Sequence, residues 1–83
     1  MDMHTDGNAV AGLLQQVFTP EVTSAERICQ SCHAQNPIGA HLSYPGAGTV
    51  LRCPACGDMA ATIMERPGGY TVSTQGTWMF AGG

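Results

Sequence analysis

The stretch that decides the fold is R-C-P-A-C-G-D at residues 52 to 58. In Cys53-Pro54-Ala55-Cys56-Gly57 two thiols come from one tight turn. Proline fixes φ after the first cysteine, and glycine lets the backbone fold back so that its amides can donate to sulfur. That is the form of a metal-binding knuckle. A second pair stands upstream in C-Q-S-C-H at 29 to 33. Together the pairs read C-x2-C-x20-C-x2-C, a spacing that suits one tetrahedral four-cysteine site. The candidate ligands are Cys29, Cys32, Cys53 and Cys56.

Cys29-x-x-Cys32-His33 is also the attachment signature of a c-type haem. That chemistry asks for export, a mostly helical body and a distal ligand such as Met59, Met64 or Met79, and it leaves Cys53 and Cys56 unexplained. Context therefore favours a bare metal over haem. His33 is redundant as a ligand beside four thiols, and adjacent residues cannot readily both reach one tetrahedral ion. One structural Zn2+ is the expected cofactor. Iron is the alternative, because C-P-A-C-G resembles a metal loop of rubredoxins, in which iron held by four cysteines carries one electron. Against iron stand His33 in place of a glycine and a chain poor in the aromatics that fill a rubredoxin core.

Size makes a metal useful. The 83 residues predict a single domain, residues 1–83, and a chain this short buries only about 60 to 65% of the surface its unfolded form exposes. Small domains commonly make up the difference with disulfides, a metal or a partner. The start, M-D-M-H-T-D-G-N, has no basic segment and no long apolar run behind it, so neither a signal peptide nor a membrane helix is expected. The expected setting is the cytoplasm, where paired Cys-x-x-Cys motifs are more often metal sites than disulfides.

Around the knuckles the chain divides in two. In D-G-N-A-V-A-G-L-L-Q-Q-V-F, Val10, Leu13, Leu14, Val17 and Phe18 share one face of an amphipathic helix predicted over 6–18, capped by Asp6 or Asn8 and ended at Thr19-Pro20. So short a helix must dock on something. Its apolar face is expected to pack on the sheet through Ile63, Val72 and Trp78, or else, with Trp78 and Phe80, to meet a protein partner. From residue 26 to 80, glycine and proline punctuate brief runs rich in β-branched and aromatic residues. Strands are predicted near 26–28, 40–44, 49–52, 60–66, 70–74 and 77–80. Pro45-Gly46 and Pro67-Gly68 each predict a type II turn with glycine at φ > 0, and Thr74-Gln75-Gly76-Thr77 a third reversal. His41 is expected on a solvated strand face. Arg27 and Arg52 are expected to be solvated strand residues, or, less simply, electrostatic partners of the thiolates.

Two knuckles joined by a β-hairpin resemble the zinc ribbon, a class of small antiparallel sheets organised by one zinc on four cysteines. The resemblance extends over nearly the whole chain. D-G-N-A-V-A-G at 6–12, the apolar run to Phe18 and P-G-A-G-T-V-L-R-C-P-A-C at 45–56 look like a family of small bacterial proteins with no assigned function. The resemblance implies a metal-stabilised, β-rich α+β fold with one N-terminal helix, and it carries Cys29, Cys32, Cys53 and Cys56 over as ligands. Asp6, Gly7, Asn8 and Ala9 match the family's leading motif. His33 departs from zinc ribbons, which often have glycine there, and it must adopt the same backbone if the turn is the same.

Composition narrows the function. The formal charge is −3, with three arginines and no lysine, so the chain has little with which to neutralise phosphates or an anionic membrane. Nucleic-acid binding, common among zinc ribbons, is therefore disfavoured although it stays open. Four thiolates close a tetrahedral ion and leave no position for reactive water, and Glu26, His41, Asp58 and Glu65 show no spacing that gathers them, so catalysis is not expected. What remains is a non-catalytic module that binds a protein partner, an adaptor or accessory subunit.

Overall fold

The computed structural model describes residues 5–80. The expectation about a leader rests partly on residues 1–4, which lie outside the described residues. Strand β1 (Thr5–Asp6) leads into helix α1 (Ala11–Val17). After it come β2 (Glu26–Ile28), β3 (Gln35–Pro37), β4 (Leu42–Pro45), β5 (Thr49–Arg52), β6 (Met59–Arg66), β7 (Gly69–Thr74) and β8 (Thr77–Met79), with single 3-10 turns at Val22–Ser24 and Ile38–Ala40. The strands form two antiparallel sheets, one ordered β1-β4-β5-β6-β7 and the other β3-β2-β8. The fold is thus small and β-rich with one short helix.

The helix begins five residues later than its periodicity suggests. Thr5 and Asp6 pair with Ser43 and Leu42, and the amides of Gly7 and Asn8 donate to the carbonyls of His41 and Gly39. Backbone that would close helical turns is spent on tertiary bonds instead. Neither Asp6 nor Asn8 caps α1, whose N-cap is Val10 without a side-chain bond; the Asp6 carboxylate instead accepts from the Ala9 amide at 2.9 Å, holding the turn ahead of the helix. The D-G-N motif is structural here, since a Cβ on Gly7 would run into the Ile38 carbonyl.

Leu14, Val22, Ala25, Ile38, Leu51, Ala60, Ala61 and Ile63 make the core, and Val10, Leu13, Val17, Phe18 and Trp78 pack against it. The helical face is therefore spent on the chain's own interior, and Leu14 is fully buried. Phe18 and Trp78 stack with ring centroids 5.2 Å apart, and Phe80 joins them at 6.4 Å. Val72 does not reach the core: it is 38% exposed, because the seven-residue α1 is too short to cover β7.

Three further expectations are corrected. Gly46 does not take a positive φ, whereas Gly68 does. The 45–49 connection is instead a three-residue loop closed by the Pro45–Thr49 pair. The reversal at 74–77 joins two sheets rather than one hairpin, since β7 pairs with β6 and β8 with β2. His41 ends a 3-10 turn rather than sitting mid-strand and is fully buried.

His41 is held as a neutral ring. Its Nδ1 lies 2.9 Å from the Pro37 carbonyl and its Nε2 3.2 Å from Arg27 Nη1. The carbonyl requires Nδ1–H, so Nε2 accepts from the guanidinium. Burial first, and then Arg27, outweigh the Pro37 carbonyl and Glu26 and hold the imidazole below its ordinary pKa. The unfolded chain therefore takes up a proton near about pH 6.5 that the folded chain refuses. Stability is full above that pH and falls as the pH drops toward the lowered folded value, by at most about 1.4 kcal/mol per pH unit. Urea denaturation of the metal-saturated protein from about pH 7.5 to 5.5 should show this slope, and His41→Gln should flatten it. Equal slopes in both chains would show that His41 carries no such linkage.

Candidate metal centre

Both cysteine pairs are turns of hairpins, one in each sheet. The first joins β2 to β3, with Ile28 opposite Gln35; the second joins β5 to β6, with Arg52 opposite Met59 across a bulge. The two turns repeat each other bond for bond. Cys29 N–H donates to Ala34 O at 3.0 Å, as Cys53 N–H does to Asp58 O at 2.8 Å. His33 N–H donates to Cys29 O at 3.1 Å, as Gly57 N–H does to Cys53 O at 2.9 Å. The amides of Ser31 and Ala55 each point at the first sulfur of their own pair, both at 3.4 Å.

This equivalence explains His33. It takes φ 64° where Gly57 takes φ 81°, so a left-handed residue closes each knuckle, and the first turn has the backbone that glycine would supply. A side chain there costs about 1 to 2 kcal/mol, while glycine costs about 0.5 to 1 kcal/mol in the unfolded chain. His33 is exposed. Replacing it, His33→Gly, should leave the metal in place and change stability by no more than about 1 kcal/mol, in the stabilising direction. Thermal melting of the metal-loaded protein checks this; a marked loss would mean that the imidazole has a structural partner.

Facing each other, the two turns bring the four Sγ atoms within 4.8 Å of one another. The shortest approaches run across the knuckles, Cys29 to Cys56 at 3.6 Å and Cys32 to Cys53 at 3.7 Å. A tetrahedron of thiolates with metal–sulfur bonds of about 2.3 Å has edges of about 3.8 Å, so the residues present fit a metal ion. Cys29 and Cys53 are buried, Cys32 and Cys56 exposed, and all four are free thiols. The cluster thus lies at the surface with its inner half packed.

The electrostatics agree with a site built for a cation. The amides of Cys32 and Ser31 draw the Cys29 thiol down to about 6. The Asp58 amide pulls on Cys56, but burial and the three neighbouring thiols outweigh it and push that thiol up to about 12. The first proton of the cluster leaves easily and the last is held, as expected when four like charges crowd together without a counter-ion. A bound cation removes that conflict by stabilising every thiolate at once.

A polar clasp ties the knuckles together outside the sulfurs. Gln30 Nε2 donates to Asp58 Oδ2 and to Met59 O, both at 3.1 Å, and the Ser31 hydroxyl donates to the same Asp58 oxygen. The Ser31 hydroxyl and then the Met59 amide hold the Asp58 carboxyl below its ordinary pKa, so the clasp is anionic at neutral pH. Arg52 supports the second knuckle: Nη1 donates to Gly57 O at 3.1 Å, and the guanidinium lies 5.9 Å from the Tyr44 ring centroid.

Arg27 corrects the expectation of a solvated strand residue: it is 1% exposed. Nε donates to Gln75 O at 3.0 Å, Nη1 to His41, and Nη2 to Gln30 Oε1 at 2.6 Å and Met59 O at 3.3 Å. The side chain thus binds β2 to the first knuckle, the start of β6 and the β7–β8 connection. Its partners come from residues 30, 41, 59 and 75, and no local pattern around Arg27 announces them.

These features define a small β-rich protein whose four clustered cysteines can hold a metal ion. The chain belongs to a family of unknown function, DUF6510, whose model matches residues 1–82. No curated protein and no solved structure matches it. No helix among the described residues is long and apolar enough to cross a membrane.

Proposed function

We propose that the chain is a zinc-ribbon module: one structural Zn2+ on Cys29, Cys32, Cys53 and Cys56 fastens the two sheets, and the folded domain serves as a non-catalytic adaptor or accessory subunit of a larger protein complex in the cytoplasm. The observation that carries this reading is the pair of equivalent knuckles with cross-knuckle sulfur distances of 3.6 and 3.7 Å. Four thiolates complete a tetrahedral ion, and a closed sphere suits a structural rather than a catalytic metal. Bound there, zinc supplies folding energy and no redox chemistry. Free thiols at this spacing also suit a reducing compartment.

The arginines support a protein partner over nucleic acid. Of the three in the chain, Arg27 is buried, Arg52 is half-buried under its knuckle and Arg66 is exposed, which makes no basic stripe. Metal analysis and visible absorption of protein purified without added metal test the metal assignment. One zinc per chain and a colourless solution are expected; a red, iron-loaded protein would point to a rubredoxin-like electron carrier instead. Strong retention on heparin at low salt would contradict the protein-partner reading.

A further inference from the structure

The two sheets have four edges, and three are blunted. β1 is two residues long, β8 is three, and β3 is three and ends in Pro37. Short strands and proline are the usual protection of a sheet edge. β7 has none of these. It runs six residues, G-Y-T-V-S-T, without charge or proline, and its register with β6 is unbroken from Arg66–Gly69 to Ala61–Thr74.

Closed by a two-residue turn, such a ladder bonds alternate residues, so Tyr70, Val72 and Thr74 turn their backbone groups outward. Those groups have no partner among the described residues. Their side chains lie on the same face as the buried Ile63 and Ala61, beside α1, with the Tyr70 hydroxyl donating to Gln16 Oε1 of the helix at 2.8 Å and Val72 beyond its cover. There Leu13, Ile63, Glu65 and Tyr70 line a groove of about 310 Å³ with the loop at 46–48. Tyr70 and Val72 are 37% and 38% exposed. An open strand edge and a groove of mixed polarity thus meet at Tyr70.

The groove's charge selects its occupant. Glu65 is the charged residue that lines it. Arg66, next to it in the sequence, donates to the Thr71 hydroxyl. A second copy of β7 would bring no cation. The geometry points to strand addition: β7 accepts an extended segment of a partner protein that alternates apolar side chains and carries a lysine or arginine placed to meet Glu65. Backbone bonds to Tyr70, Val72 and Thr74 supply affinity, and the groove and Glu65 supply selectivity. This inference rests on the reading of the chain as an interaction module and says which surface it uses.

The test uses the full, metal-loaded chain and a fluorescent peptide of about eight residues that alternates valine with threonine and carries one arginine. Expected are saturable anisotropy changes and amide shifts concentrated at residues 69–74. Val72→Pro removes an outward amide while leaving the bonds to β6, and should weaken binding about tenfold or more. Glu65→Lys should weaken it about fivefold and favour a glutamate-bearing version of the peptide. Should the proline chain not fold by circular dichroism, Val72→Lys, which sets a cation against the cationic probe, must show the same loss. Amides 69–74 that do not respond, or binding indifferent to these substitutions, would overturn the inference. So would a dimer in sedimentation that Val72→Pro dissolves, because β7 would then be covered by its own copy. A partner retained equally by wild-type and Val72→Pro chains would leave the interaction module standing and remove β7 from it.

Discussion

Replacing Cys53 with serine should leave the chain largely unfolded at room temperature whether or not zinc is supplied. Cys53 is fully buried, and its backbone closes the second knuckle through Asp58 and Gly57. Loss of one thiolate of four forfeits most of the roughly 10 to 16 kcal/mol that metal binding can contribute to a small domain. The core cannot make good the loss. It consists of eight buried residues, three of them alanines, against a total stability that even well-packed domains hold to about 5 to 15 kcal/mol. Circular dichroism and urea denaturation of Cys53→Ser with zinc in excess check this. The same change at the exposed Cys32 should be milder, because water can solvate the altered ligand there.

The second large effect is expected at Arg27. Methionine has similar reach and no donors, so Arg27→Met returns the buried His41 Nε2 to an apolar wall, while the exposed Gln30 amide oxygen can turn to water and the Met59 carbonyl retains the Gln30 Nε2 donor at 3.1 Å. The Gln75 carbonyl retains the Trp78 indole N–H at 2.9 Å. A buried acceptor left unpaired costs about 1 to 3 kcal/mol. Arg27→Met should therefore lower the stability of the zinc-loaded protein by about 1 to 3 kcal/mol, read from the urea midpoint. A loss under about 1 kcal/mol would mean that the network is no better than a packed apolar side chain.

The cysteine spacing and the β-rich body were both legible in the residues, because thiol pairs and Gly/Pro punctuation are local signals. Strands β2, β5, β6 and β7 fall within a residue of their predicted bounds, since β-branched runs between turns mark them. The left-handed backbone at His33 was legible only through the resemblance to zinc ribbons, which often have glycine at that position. Long-range geometry was not. β3 is the three residues Q-N-P, with no strand propensity; it exists because the knuckle folds the chain back onto β2. His41 and Arg27 look like solvent-facing residues under period-2 alternation. They are buried because each satisfies the other, together with carbonyls 4 and 48 residues away. The residues named as a partner-binding face, Val10, Leu13, Leu14, Val17, Phe18 and Trp78, pair as readily with an interior as with a partner. The structure buries Leu14 in the core and packs the others against it, and the proposed docking edge is β7 instead.

The most direct test is to add zinc to the metal-free chain at neutral pH while following circular dichroism. Expected are a β-rich fold that appears cooperatively and saturates at one zinc per chain, and its loss when a chelator removes the metal. A metal-free chain with the same spectrum, or a transition that does not saturate at one equivalent, would contradict a fold fastened by zinc on Cys29, Cys32, Cys53 and Cys56.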